Sequence, residues 1–191
     1  MSYMKISIKR VFEETTPFIL IFAVIVLLSG GFLGSLTEEF KTIPGLLILL
    51  PPLLGLRGNI GASLASRLSS ALHLGYIKPN KMTKSLRTNI YASIFLTFLM
   101  SLLLGIFSWT TCFFIGAVCI SLFAFVTISM IAGVISSMFL ILITIFIAQV
   151  SFRKGLDPDN VTTQSIGSLG DIITIITFVV TVKLVLLWGL I

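Results

Sequence analysis

The sequence predicts an all-α integral membrane protein, a bundle of five transmembrane helices with the second helix broken near 51–59. Three observations carry this. Of 191 residues, 57% are hydrophobic and only 10% charged, against about 25% charged in soluble domains, and the mean hydropathy is +1.14. The apolar residues form runs long enough to cross a bilayer, and the short polar connections between them leave no room for a soluble domain. Two of those runs carry residues that hydrocarbon does not tolerate unaided: Pro51, Pro52, Gly55, Gly58 and Asn59 in one, Asp171 in the other.

The segment 1–16 mixes Lys5, Lys9 and Arg10 with Ile6, Ile8, Val11 and Phe12. It reads as an interfacial helix on the cytoplasmic surface and is too polar for a signal peptide's apolar region. The first span, 17–35, starts at Pro17, whose missing N–H is not needed in a first turn. It ends near Gly30 and Gly31, which permit close helix approach.

The second span, 43–74, holds two prolines and three glycines near its middle. They are expected to interrupt the hydrogen-bond ladder, and irregular backbone at membrane depth persists only where it is buried in protein or lines a wet cavity. Carbonyls freed there suit a cation. Beyond the break, Gly55, Asn59, Ala62 or Ser63, Ser66 and Ser70 share a small, polar face opposite Leu64, Leu68 and Leu72.

Lys78, Lys81, Lys84 and Arg87 form the strongest basic cluster and belong on the cytoplasmic side. The third span covers 88–107, with 108–111 (Ser-Trp-Thr-Thr) as its interface. The stretch 112–152 has almost no polar break. It reads as one long fourth span, because a single crossing returns Arg153 and Lys154 to the basic side; two spans turning near 131–137 are the alternative. This plan puts the N-terminus in the cytoplasm and the C-terminus outside. Cys112 and Cys119, seven apart on an expected helix, read as packing residues. The formal charge of +6 is loop charge that orients the chain, not a nucleic-acid surface.

The fifth span, 161–188, places Gln164, Ser168, Asp171 and Thr174 on one stripe, with Gly167 and Gly170 beside it. A carboxylate in hydrocarbon costs roughly 2.5–3.5 kcal/mol on insertion scales unless it meets a cavity, a partner or a cation. Asp171 is therefore read as a cation site. Asp157 and Asp159, at the cytoplasmic start of this helix, either gather cations or cap the helix. Arg57 either acts on an anion or gate, or pairs with a buried carboxylate or helix carbonyls; Arg67 reads as structural. His73 near Ser69 and Ser70 makes no hydrolase without a G-x-S-x-G motif, and no catalytic constellation points to an enzyme.

Leu53-Leu54-Gly55-Leu56-Arg57-Gly58-Asn59, followed by Ala65-Ser66-Arg67-Leu68-Ser69, resembles the second-helix signature of the magnesium transporters of the MgtE type and of solute carrier family 41. Asp157-Pro158-Asp159-Asn160-Val161-Thr162-Thr163, followed by Ser168-Leu169-Gly170-Asp171, resembles their last-helix signature. The resemblance implies a five-helix membrane domain that moves divalent cations, Mg²⁺ foremost. Asp171 would be a pore-lining ligand and Asn59 would lie near the same pathway. MgtE proteins also carry cytoplasmic regulatory domains, and solute carrier 41 proteins carry two such bundles in one chain; a single bundle here implies a homodimer. Gln164 stands where a proline is common in the family.

Magnesium prefers six oxygens and sheds water reluctantly. One Asp171 from each of two subunits would supply charge, while Ser168, Thr174, Asn59 and the carbonyls near Gly58 hold the hydration shell. Two carboxylates without a cation repel, so one tends to take a proton, which leaves room for coupling to H⁺ or Na⁺. The expectation is a channel driven by the membrane potential, about 2.3 kcal/mol per charge per 100 mV, or a Na⁺/H⁺-coupled exchanger. The alternative is a non-conducting scaffold or regulatory subunit that keeps the fold. No thiolate or imidazole cluster suits zinc or copper.

Overall fold

A computed structural model of the chain describes residues 8–189. Its elements are α1 (Ile8–Gly34), α2 (Thr37–Thr42), α3 (Gly45–His73), α4 (Lys84–Ile115), α5 (Leu122–Arg153) and α6 (Pro158–Leu187), and the described residues contain no strand. Four helices are long and apolar enough to cross a membrane: α3, α4, α5 and the Val161–Leu187 part of α6. The apolar part of α1 is the shorter Ile19–Gly34. Of the segment expected on the membrane surface, residues 1–7 lie outside the described residues. From Ile8 onward it is continuous with α1, through Pro17.

Local chemistry explains the helix ends. Thr83 Oγ1 accepts the Leu86 N–H at 3.3 Å to start α4, and Ser121 Oγ accepts the Ala124 N–H at 3.2 Å to start α5. Gly116 ends α4 in the left-handed region, at φ +72°. The turn between the third and fourth spans thus falls at 116–121 rather than at 108–111. Thr110 and Thr111 each donate to the Phe107 carbonyl at 2.8 Å, so their hydroxyls are satisfied within the helix and need no interface.

The same turn corrects the reading of the cysteines. Cys112 and Cys119 form a disulfide, with Cα atoms 6.1 Å apart. Seven residues of continued helix would separate them by about 10.5 Å; the reversal at Gly116 closes that gap. The Gly45 N–H donates to the Val118 carbonyl at 3.2 Å, and a Cβ on Gly45 would lie 2.8 Å from Cys112 Sγ. The start of α3 is therefore seated directly on the stapled turn.

The expected break in the second span is also corrected: α3 is one continuous helix through Pro51, Pro52, Gly55 and Gly58. The prolines remove two N–H donors and leave the Leu47 and Ile48 carbonyls without their usual partners. Both rings lie on the exposed side of α3, so the ladder opens outward and the helix goes on.

Helix α3 packs against α4, α5 and α6; α5 packs against α4 and α6; α1 lies on α6. Leu46, Leu49 and Leu53 form one buried cluster with Phe125, Phe178 and Val182, and Leu64, Leu68 and Leu72 form another with Leu86, Ile141 and Ala148. Buried hydroxyls are mostly absorbed within helices: Ser136, Thr144, Ser165 and Thr181 each donate to the carbonyl four residues back. Others join helices, as Ser129 Oγ does to the Ser101 carbonyl at 2.6 Å and Thr97 Oγ1 to Ser137 Oγ at 3.1 Å. The two basic connections share one end of the bundle. There the Asn80 N–H donates to Gln149 Oε1 at 3.0 Å, and His73 Nε2 lies 3.9 Å from Asp157.

A Cβ on Gly105 would lie 2.7 Å from Val126 Cα and 3.2 Å from the Phe125 carbonyl, both backbone atoms that cannot rotate away. Gly105→Ala should therefore separate α4 from α5 and cost about 1–3 kcal/mol, seen as a lower melting temperature by circular dichroism in detergent. Gly30→Ala meets nothing within 4 Å. It should hold or raise the melting temperature, by up to roughly 0.5–1 kcal/mol.

Candidate functional site

Helices α3 and α6 run antiparallel, with His73 at the end of one beside Asp157 at the start of the other. They meet closely at Gly61, where a Cβ would collide with the Ile166 side chain. That contact sets the register. Asp171 lies five residues, about 7.5 Å, further along α6, and the same rise back along α3 from Gly61 reaches Leu56 and Arg57. Asp171 is thus level with Arg57, near the middle of both helices.

Asp171 is half-buried, and no hydrogen bond or ion pair from the described residues reaches its carboxylate. Further along α6, Thr174, Ile175, Phe178 and Val182 are fully or nearly fully buried. Asp171 lies on the same side of α6 and remains partly exposed. Thr174 is 0% exposed and its Oγ1 has no partner; Thr162 Oγ1 is orphaned in the same way. Ser168 is half-buried one turn before Asp171. Gly58 is half-buried with open space where a Cβ would stand. The stripe of Ser168, Asp171 and Thr174 is as the spacing predicts; the side chain of Gln164 lies outside the described residues.

Asn59 is not with them. It stands two residues, about 200°, around α3 from the Gly61 face that meets α6. It lines a lateral cavity of about 510 Å³ between α3 and α4, with Pro52, Gly55, Leu56, Met100 and Phe107. Pro52, Gly55, Asn59, Ser63, Ser66 and Ser70 are all exposed and form one outward stripe along α3.

Asp157 and Asp159 stand apart as well. Asp157 Oδ1 accepts the Asp159 N–H at 3.0 Å as the N-cap of α6, and Asp159 Oδ1 accepts from Thr163 Oγ1 at 3.3 Å. Fourteen residues of helix put Asp157 about 21 Å from Asp171, so the two cannot share an ion. His73 lies beside Asp157 and stacks edge-on with the Phe152 ring at 5.4 Å. No three His, Cys, Asp or Glu residues come together among the described residues. A cation at Asp171 would meet one carboxylate per chain, hydroxyls and its own water.

The residue that sequence reasoning undervalued is Arg57. It is 1% exposed. Its Nη2 donates to Ser101 Oγ at 2.9 Å, while Nε and Nη1 have no partner. Neither a carboxylate nor a helix carbonyl receives it among the described residues, which corrects the expected pairing. Gly133 makes its room: a Cβ there would strike both Ser101 Oγ and the guanidinium. The available signal was the series of small residues on the third and fourth apolar runs, Ser93, Thr97, Ser101 and Gly105 on one and Ser129, Gly133 and Ser137 on the other.

A family model described as a divalent cation transporter, MgtE, matches residues 50–181. The chain belongs to the MgtE family. The match takes in most of α3, all of α4 and α5, and α6 as far as Thr181, so both polar stripes lie within the MgtE region. Among curated proteins, the chain is 30% identical over 146 residues to solute carrier family 41 member 2 of Mus musculus, covering 72% of this chain and 25% of that protein. It is 29% identical over 176 residues to solute carrier family 41 member 3 of Rattus norvegicus, covering 80% and 36%. To member 2 of Xenopus laevis it is 28% identical over 177 residues, covering 88% and 31%. The chain thus spans about a quarter to a third of the length of these relatives. Its apolar helices and its MgtE membership make it a multi-pass membrane protein.

The cap at Asp157 yields a test that separates capping from ion binding. Asp157→Ala should lower stability by about 0.5–2 kcal/mol, whereas Asp157→Asn, which loses the charge but still caps, should keep the parent melting temperature. A stability loss in both variants would show that the charge, not the cap, is what matters there.

Proposed function

We propose that the chain moves divalent cations, Mg²⁺ foremost, across a cell membrane along a path lined by Asp171 on α6 and by α3, in an assembly of two copies about a two-fold axis. The observation that carries this is Asp171 itself: a carboxylate at mid-depth in a membrane helix, partly exposed, without a partner among the described residues, and one turn from the orphaned hydroxyl of buried Thr174. Such a group is expensive in hydrocarbon unless a cation or its water visits it. Membership of a family of divalent cation transporters supports the same reading.

Mg²⁺ keeps much of its hydration. Ser168 and Thr174 therefore serve as partners for bound water, with one Asp171 from each copy supplying charge, while Gly58, inside continuous helix, contributes open space rather than freed carbonyls. Asn59 belongs to the path through the outward face of α3. In a bilayer that stripe cannot be left to lipid, which offers Asn59, Ser63, Ser66 and Ser70 no hydrogen bonds. A second copy, and the water between the copies, satisfies it.

The membrane unit is 17–191, with 1–16 on the cytoplasmic surface. The basic end lies in the cytoplasm and the C-terminus outside, in keeping with Lys78, Lys81, Arg153 and Lys154 at one end of the bundle. Asp157 and Asp159 then sit at the cytoplasmic mouth, where they draw cations in. Transport runs either down the membrane potential or in exchange for Na⁺ or H⁺.

The decisive experiment is Mg²⁺ flux into proteoliposomes, parent against Asp171→Asn, with and without Na⁺ and H⁺ gradients. The parent should conduct and Asp171→Asn should lose nearly all flux while remaining a folded dimer. Gradient dependence then separates exchange from conduction. No flux from folded parent under any gradient would leave a scaffold role and sink the transport reading. The two-fold assembly is tested by cross-linking: Ser66→Cys should give a covalent dimer with a short bismaleimide, and Phe95→Cys, on the exposed side of α4, should not. The reverse pattern would place the interface on α4.

A further inference from the structure

We propose that Arg57 is the fixed counter-charge of the Asp171 site, weakening the hold on a bound dication so that the ion can leave. This rests on the reading of Asp171 as the cation site. The guanidinium is enclosed by its own chain: 1% exposed, tethered to Ser101 on α4, and wedged against Gly133 on α5. An arginine keeps its charge at neutral pH.

That charge is not spent locally. Of its three nitrogens, one meets a neutral hydroxyl and two meet no partner among the described residues. The adjoining space is an enclosed cavity of about 10 Å³, lined by Arg57, Gly61, Leu64, Ser137, Leu140 and Thr144. That volume admits a single water and no bulky anion. A water there satisfies an N–H but leaves the positive charge uncompensated.

By the register of α3 and α6, the acidic residue at the same depth is Asp171, which has no partner among the described residues. Packed helices lie about 8–10 Å apart, so the separation is on the order of 10 Å. Over that distance the charges still act on each other, because Arg57 is buried and Asp171 partly buried, and salt screens such groups less than fully exposed ones. With the ion absent, Arg57 balances Asp171 and the bundle interior is near neutral. With Mg²⁺ present, Arg57 repels a double charge. A site with Asp171 alone would grip the ion and release it slowly. Arg57 is a positioning residue in this scheme: it acts on the ion through the field and never touches it.

The test is Mg²⁺ binding by calorimetry and Mg²⁺ flux, on the folded dimer in nanodiscs or proteoliposomes. Arg57→Met should bind Mg²⁺ about tenfold tighter or more, from the Coulomb term for a dication at an effective dielectric of about 40, between those of protein and water. Its flux should saturate at lower concentration and at a lower maximal rate. Arg57→Lys, which keeps the charge, should stay near the parent in both. A merely structural role would weaken binding, never tighten it. Should Arg57→Met fail to fold, Ser137→Asp offers the same test with the guanidinium in place. Ser137 lines the Arg57 cavity, and a carboxylate there neutralises Arg57 directly, so binding should again tighten. Parent-like or weaker binding in a folded Arg57→Met or Ser137→Asp protein overturns the proposal, as does an Arg57→Lys protein that behaves like Arg57→Met. Parent binding that Asp171→Asn leaves intact overturns the Asp171 reading, and this inference with it.

Discussion

The contact of Ile166 with the bare backbone of Gly61 is the constraint on which the rest of the bundle depends. Any side chain at 61 would push α6 away from α3, since small residues are what allow membrane helices to approach closely. The register it sets aligns Phe178 and Val182 with Leu46, Leu49 and Leu53 in one apolar cluster. It also brings His73 to Asp157 at the basic end and holds Asp171 level with Arg57. The far end of α3 is held separately, by the hydrogen bond from Gly45 to the disulfide-stapled turn at 116–121. With both ends anchored, α3 can carry two adjacent prolines without breaking.

Inside a bilayer the accounting of polar groups is unusually informative, because solvent cannot cover for a missing partner. Most hydroxyls here are neutralised by the carbonyl one turn back. Among the described residues the exceptions are few: Thr162 and Thr174 on α6, and two guanidinium nitrogens of Arg57 on α3. Added to them is a stripe of exposed Asn and Ser on the outer face of α3. The helices that carry the two segments resembling the family's signatures are, among the described residues, the ones left incomplete within a single chain. Incompleteness confined to two helices argues for water, an ion or a second copy at those helices rather than for loose packing.

How far the sequence could be read depended on the kind of signal. Five long helices were legible from the length of the apolar runs, and the Ser168–Asp171–Thr174 stripe from its spacing. The outward face of Gly55, Asn59, Ser66 and Ser70 was legible for the same reason. The turn at 116–121 was not, because Phe113, Phe114, Ile115 and Val118 keep the stretch apolar, and the Thr110 and Thr111 hydroxyls suggest an interface where there is only helix. Missing the turn also hid the disulfide, since two cysteines seven apart on a helix cannot meet. The prolines misled in the other direction: Pro51 and Pro52 signal a break, but their rings fall on the exposed side. Arg57 was ambiguous because a lone arginine does not show which helices enclose it; Ser101 and Gly133 lie 44 and 76 residues away in sequence.

The separation of the expected cation ligands into three places is informative about the kind of site this can be. Asp157 and Asp159 cap the start of α6, Asn59 faces outward on α3, and only Ser168, Asp171 and Thr174 share a stripe. A resident Mg²⁺ in a structural role would call for several converging oxygens at near-octahedral geometry, and one chain does not assemble them. A transported ion needs the opposite: enough charge to draw it to mid-depth, and too few direct ligands to strip its water and trap it. One carboxylate per chain beside spare hydroxyls fits that requirement. A buried positive charge at the same depth fits it further, because it caps how deep the well becomes when the ion arrives. On this view the sparseness of the site is what would let an ion pass through it.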